Sequence, residues 1–391
     1  MSMTMIPCQT STVLSPQPQP PADPYGYLLV HFLEDDQGYA ERIYFDLSDG
    51  DNPERWQPLN GGKPILTSNL GTTGVRDPYL TRDPRTGTVY VIATDLRVFG
   101  GNDIVLEQDR QGYRPDEQDW ESYWRIKWTY WSHHGSTKLI IWKSEDLVHW
   151  SDPWELDVAL HADGAREELG MAWAPECLWV PDYYPEDHDG GRGAFVLYWS
   201  SKLFDDRDPD HESPDTYDHV MWGVTRDFTN ATYEFGGTFI DRGHNTIDTT
   251  MLQRRLPDGG IRTYRATKDN GPQPGIWLDA TDARRWWEPE AEWTVIQENI
   301  GVDYVPDKRP SGVEGPALFA SHSDGKAYLY VDVIPSIGYR PMVTSDPDHG
   351  FDYLDSLEFK MAPHTKHGGV ISLSRDEYNR LLSNDGSIGA A

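Results

Sequence analysis

The sequence predicts an all-β chain folded as a five-bladed β-propeller, and three observations carry that expectation. Apolar segments are short, rich in Val, Ile, Tyr, Phe and Trp, and separated by Asp, Gly and Pro clusters. An aromatic or aliphatic strand running into a Ser/Thr and Asp turn, usually followed by another aromatic, recurs five times. A second series of short strands, each headed by a polar residue, is interleaved with the first.

Residues 1–24 are rich in Pro, Gln, Ser and Thr, cannot bury a core, and are expected to form a disordered tail. Structure is expected from residue 25. The recurring phrase then reads IYFDLSDGDNPERW (43–56), LIIWKSEDLVHW (139–150), VMWGVTRDFTNATY (220–233), GIWLDATDARRWW (275–287) and RPMVTSDPDHGFDY (340–353). The interleaved series is VRDPYL (75–80), WAPECLWV (173–180), TIDTTML (246–252), VEGPALF (313–319) and KHGGVISL (366–373). Most heads are followed by a second strand and then by the phrase, which gives three strands per repeat, the pattern of a propeller blade. A helical period occurs at 374–382. The propeller is therefore assigned to 25–377, with a C-terminal tail at 378–391. Insertions at 97–135 and 203–219 interrupt the rhythm and are expected as rim loops. The first carries Trp and Tyr residues with His133 and His134, and can wall one side of a pocket. That His pair lacks a third ligand at fixed spacing, which argues against a metal site.

Composition narrows the function. The 391 residues hold 34 Lys plus Arg against 64 Asp plus Glu, a formal charge of −30. Such a balance repels phosphate backbones and anionic membranes, so no nucleic-acid or membrane partner is expected and a neutral substrate fits better. A salt-adapted proteome would explain the charge equally well. Aromatics form 12% of the chain, including 16 Trp, which suits sugar-ring faces or simply a large aromatic core. Only Cys8 and Cys177 occur, so no disulfide framework is expected. The N-terminus has no basic start and no apolar run, which favours a cytoplasmic location.

In a propeller the first strand of each blade lines the central channel, so Asp77, Glu176, Asp248, Glu314 and His367 should converge at one end of it. A funnel ringed with acids suits hydrolysis or a cation. Taken singly, each acid beside Pro or Gly reads as a strand-end cap.

At these heads the chain resembles glycoside hydrolase family 43, the five-bladed propellers that include arabinofuranosidases, xylosidases and arabinanases. The resemblance rests on VRDPYL with YVIATDLR after it, MAWAPE, IDTTM, VEGP and HGGVISLSRDEYNRLL. It implies that Asp77 is the general base, that Asp248 orients the acid and tunes its pKa, and that Glu314 is the general acid. It also implies that His367 lies in the channel and helps to hold a hydrated calcium ion. Glu176 follows WAP, where many members differ, and with Trp173 is expected to shape the sugar pocket. Inverting hydrolysis needs one acid and one carboxylate roughly 6.5–9.5 Å apart on opposite faces of the sugar. A negative Asp248 is expected to raise the pKa of Glu314 and keep it protonated.

The resulting expectation is an inverting exo-acting hydrolase that removes terminal sugars, α-L-arabinofuranosyl first, from plant-type oligosaccharides. β-Xylosidase, β-D-galactofuranosidase and exo-galactanase activity remain alternatives within the family. Related fructan-cleaving propellers are a neighbouring alternative in which Glu176 would be the acid/base, although their Asn-Asp-Pro motif is missing before Arg76. A non-catalytic glycan-binding propeller is the alternative from another class. Oligomeric state is not legible in the sequence.

Overall fold

A computed structural model of the chain describes residues 20–35, 38–98, 128–272 and 274–390. Residues 1–19 of the expected tail and 99–127 of the first insertion lie outside the described residues. Five four-stranded antiparallel sheets form the blades. Blade 1 is built from Val75–Arg82, Val89–Asp95, Lys138–Ser144 and Trp154–Asp157. Blade 2 comprises Trp173–Val180, Ala194–Lys202, Asp218–Thr225 and Glu234–Ile240. Blade 3 comprises Thr246–Arg255, Ile261–Asp269, Gly275–Thr281 and Thr294–Ile300. In blade 4 the strands are Val313–Ala320, Ala327–Val333, Gly338–Thr344 and Asp352–Tyr353. Blade 5 closes the ring with strands from both ends of the chain: Thr365–Ser374 is innermost and pairs with Pro24–Asp35, followed by Gly38–Asp49 and Asn52–Pro58.

Each blade has one strand more than the sequence pattern suggests. The recurring phrase is the third strand plus its exit turn; the fourth strand follows the phrase in blades 1–3 and starts within its last residues in blades 4 and 5. The turn follows from its Ser or Thr: Ser144 Oγ accepts the Leu147 N–H at 2.8 Å and Thr225 Oγ1 accepts that of Phe228 at 2.9 Å. The aromatic after the turn is buried in every copy, as Trp56, Trp150, Tyr233, Trp286 and Phe351.

Both faces of a blade are covered by its neighbours, so middle strands such as VYVIATD and AYLYVDV are buried along their whole length. Alternate residues serve different interfaces. Val89, Val91 and Ala93 pack with Val30 and Phe45 of blade 5, whereas Tyr90 and Ile92 pack with Phe195 and Leu197 of blade 2. Comparable apolar layers fill the other blade junctions. Among the described residues most aromatic side chains are buried.

After the innermost strand of blade 5 comes a helix, α1 (Arg375–Ser383 of the C-terminus), which crosses the boundary drawn at 377. A reciprocal capping box between Ser374 and Glu377 starts it. Tyr378 and Leu381 are buried against blades 5 and 1, and Arg82 pairs with Glu377 at 2.8 Å. Farther on, Gly389–Ala390 pairs with His149–Trp150. No helix among the described residues is long and apolar enough to cross a membrane.

Candidate active site

Every innermost strand loses register with its neighbour near its head. The shift falls between Arg76 and Tyr79, between Ile247 and Thr249, and between Glu314 and Ala317, with equivalent irregularities opposite Trp173–Glu176 and at His367. At the bulge the backbone turns left-handed, with φ of 46° at Asp77, 50° at Ala174, 49° at Asp248 and 51° at Gly315. Non-glycine residues held there cost about 1–3 kcal/mol each, and such strain gathers at sites. Gly315 answers two demands at once, because a Cβ on it would lie 2.9 Å from His367 Cβ.

The five heads do not share one register position. The equivalent residues are Asp77, Ala174, Asp248, Gly315 and His367. Glu314 stands one residue earlier, at the position of Arg76, Trp173, Ile247 and Lys366, and Glu176 stands two residues later. Even so, Asp77, Trp173, Asp248, Glu314 and His367 all line one cavity of about 550 Å³ fed by all five blades.

Inside it, Thr94 Oγ1 donates to Asp77 Oδ2 at 2.9 Å and accepts the Ala174 N–H at 2.8 Å, tying blade 1 to blade 2. Asp248 Oδ2 accepts the Gly315 N–H at 3.1 Å, while the Asp248 N–H donates to Ser200 Oγ at 3.0 Å. His367 Nδ1 lies 3.7 Å from Asp77 Oδ1 and 3.9 Å from Asp248 Oδ2. Lys366 Nζ contacts Glu314 Oε1 and lies 2.8 Å from Asp332 Oδ2 and 3.5 Å from Glu34 Oε2.

The charges do not distribute as the sequence suggests. Burial pushes Asp248 up to about 6; Glu314 and Asp77 add to the rise and His367 opposes it. Burial also pushes Glu314 upward, but the Lys366 ammonium in contact with it, with Lys268 and Arg76 beyond, holds it net below the ordinary glutamate range. The expected rise of Glu314 through Asp248 is thus reversed, because a cation one residue before His367 touches the acid. Asp332 is pushed up to about 7, chiefly by burial, with Glu314 and Glu34 adding and Lys366 opposing.

Glu176 is not among the residues lining the cavity. It is 2% exposed, and the Tyr198 hydroxyl donates to its Oε2 at 3.2 Å. Burial holds it well above the ordinary glutamate range; the Tyr198 hydroxyl lowers it and the Asp248 carboxyl raises it, each by less.

Calcium takes six to eight oxygen ligands, so a hydrated ion beside the His367 ring, with Asp77 and Asp248 next to it, would draw most of its shell from water. Among the described residues no group of three or more His, Cys, Asp or Glu side chains is arranged to hold a metal. Arg76, Lys268 and Lys366 already supply positive charge around Glu314.

Sequence reasoning passed over Arg76, Lys366, Lys202, Asn245 and Asn270, all of which line the cavity. Arg76 and Lys366 were within reach, since each stands directly before a singled-out head. Arg76 lies over the rings of Phe32 and Trp128 at 5.0 and 5.4 Å, fixing the cavity's aromatic side.

Comparison with known proteins gives this geometry its context. A family described as "Probable glycosyl hydrolase domain", related to glycosyl hydrolase family 43, matches residues 23–379. The chain belongs to this family. An α-L-arabinofuranosidase of Bifidobacterium longum subsp. longum is 26% identical over 352 residues, covering 82% of this chain and 28% of that protein. The chain therefore spans under a third of that relative's length. Among solved structures, a thermostable family-43 glycoside hydrolase aligns over 74% of this chain and 75% of its own at 16% identity, with a TM-score of 0.43. An α-L-arabinofuranosidase from Lactobacillus brevis aligns over 73% and 72% at 13% identity, with a TM-score of 0.40.

Proposed function

We propose that this family-43-related chain is an inverting exo-glycosidase that removes terminal α-L-arabinofuranosyl units from oligosaccharides. The observation that carries the reading is the meeting of Asp77, Asp248 and Glu314, from three blades, in one bounded cavity. A volume of about 550 Å³ lies within the range of small-molecule sites and leaves room for a sugar unit. The arabinofuranosyl preference draws on the B. longum relative. β-Xylosyl and β-D-galactofuranosyl units are the alternatives within the same chemistry.

In this reading Asp77 is the general base. Thr94 donates to one of its oxygens, leaving Oδ1 to take a proton from the attacking water. Glu314 is the general acid that protonates the leaving oxygen. In the free protein its partner is Lys366, so a proton must reach it before the bond breaks. Asp248, raised to about 6, is the neighbouring carboxyl that holds one below that pH, and the two groups act as a dyad sharing a proton. Lys366 has a second place to go, since Asp332 and Glu34 already face it. When it turns to them, the proton settles on Glu314.

The Glu314–Lys366 contact also favours a second reading, a propeller that binds a glycan without cutting it, because a neutralised acid is no obstacle to binding alone. Proton NMR of the first-formed sugar separates the readings. The enzyme releases the inverted anomer, and Asp77→Asn abolishes release. Sugar binding without release identifies the binder, and a retained anomer contradicts the Asp77 assignment.

A further inference from the structure

Two insertions meet at the wall of the cavity. One is a short helix, Trp128–His133, and the other is the loop 203–219. They are joined by a reciprocal pair of contacts, with His133 Nδ1 2.9 Å from the His211 carbonyl oxygen and His211 Nδ1 2.8 Å from the His133 carbonyl oxygen. A carbonyl oxygen only accepts, so both Nδ1 atoms carry hydrogen. The far side of the His211 ring is also engaged. Its Nε2 lies 3.1 Å from Glu168 Oε2, and its ring stacks on Phe204 at 4.1 Å. His133 differs, because its Nε2 has no hydrogen-bond partner among the described residues while the residue lines the cavity.

The wall is tightly built. A Cβ on Gly170 would lie 2.2 Å from the Ser132 carbonyl oxygen and 3.2 Å from His133 Cα, so the helix end rests directly on the backbone beneath it. At its far end the loop is pinned by Lys202 Nζ, 3.1 Å from the Thr216 carbonyl oxygen and 3.0 Å from Asp218 Oδ1. Pro214 and Thr216 of the loop also line the cavity.

We propose that His133 is a specificity-determining residue, its Nε2 accepting a hydrogen bond from one hydroxyl of the terminal sugar, and that His211 is the positioning residue that aims it. The inference rests on the glycosidase reading and extends it to the choice of sugar. With hydrogen fixed on Nδ1, a neutral His133 presents Nε2 as an acceptor. A hydroxyl at the matching ring carbon satisfies it, and a sugar without one leaves a buried acceptor unpaired.

The test is a series of monodeoxy aryl glycosides of the preferred sugar. His133→Asn keeps an amide donor near the place of Nδ1 and removes the acceptor at Nε2. The wild type is expected to lose about tenfold in kcat/KM on one member of the series. His133→Asn is expected to melt with the wild type, to raise KM about tenfold on the parent with kcat little changed, and to show no discrimination at that member. His133→Gln, which restores a polar group near Nε2, should recover part of the discrimination. A deoxy profile in His133→Asn that matches the wild type overturns the proposal. If His133→Asn does not fold, His211→Gln, which frees the clasp while keeping an amide near Glu168, must flatten the same profile, and an unflattened profile overturns it. Absence of hydrolysis by the wild type refutes the glycosidase reading separately. Tryptophan-fluorescence titration with L-arabinose, D-xylose and their deoxy analogues then decides the proposal by the same comparison of profiles.

Discussion

Lys366→Met isolates what the buried lysine contributes. In the wild type its ammonium serves Glu314, Asp332 and Glu34 together, and the last two are 1% exposed. Removing one partner from a buried ion pair costs roughly 3–5 kcal/mol, because the other charge stays buried without it. The loss depends on pH, with a definite sign. Asp332 stands at about 7 in the folded chain against 3.8 as a free side chain. The native state therefore binds a proton that the unfolded state releases, and stability falls as pH rises through that window. Without Lys366 the three carboxyls depend more heavily on protons. Glu314 also loses the cation that holds it low. That stabilisation is present above its unfolded pKa and vanishes as pH falls through the folded one. The variant should therefore lose about 3–5 kcal/mol at pH 8 and clearly less at pH 5, where protonation relieves the buried charges. Urea unfolding followed by tryptophan fluorescence at the two pH values measures the difference. Equal losses at pH 5 and pH 8, or a loss under about 1 kcal/mol at pH 8, would mean that Lys366 does not neutralise these buried carboxylates.

Other variants probe the remaining parts. Wild-type kcat/KM is expected to decline above about pH 6 as the Asp248–Glu314 dyad loses its shared proton, and Asp248→Asn should be slow and lack that limb; a flat wild-type profile from pH 5 to pH 8 contradicts the dyad. Gly315→Ala places a Cβ against His367 in a left-handed backbone and should cost about 1–3 kcal/mol in unfolding measurements, with activity reduced through the displaced Asp248 contact. Glu176→Gln keeps an acceptor for the Tyr198 hydroxyl at a buried side chain that does not line the cavity, so activity should stay within about fivefold of wild type. A loss of roughly a hundredfold or more there would restore the reading in which Glu176 is the acid/base.

Much of the blade architecture was legible because strand period and turn chemistry are local. The Ser/Thr after each third strand and the buried aromatic beyond it mark the same point in each blade. The fourth strands were missed because those such as Thr294–Ile300 and Asp352–Tyr353 are short or largely polar and exposed. Convergence of Asp77, Asp248, Glu314 and His367 followed from the inner-strand series. Their relative phase did not, since a bulge adds a residue without disturbing the apolar pattern. The ionisation of Glu314 was beyond reach for a different reason. It is set by Lys366, which is 52 positions away in the chain yet in direct contact across two blades.

Whether Glu314 delivers the proton to the leaving oxygen is decided by comparing two leaving groups. Wild type and Glu314→Gln would be assayed on a p-nitrophenyl α-L-arabinofuranoside, whose leaving group needs little help, and on an arabinofuranosyl oligosaccharide, whose leaving group must be protonated. The variant is expected to lose roughly 10²–10⁴-fold on the oligosaccharide and far less on the nitrophenyl glycoside. Equal losses on both substrates, or full activity on the oligosaccharide, would contradict that role for Glu314.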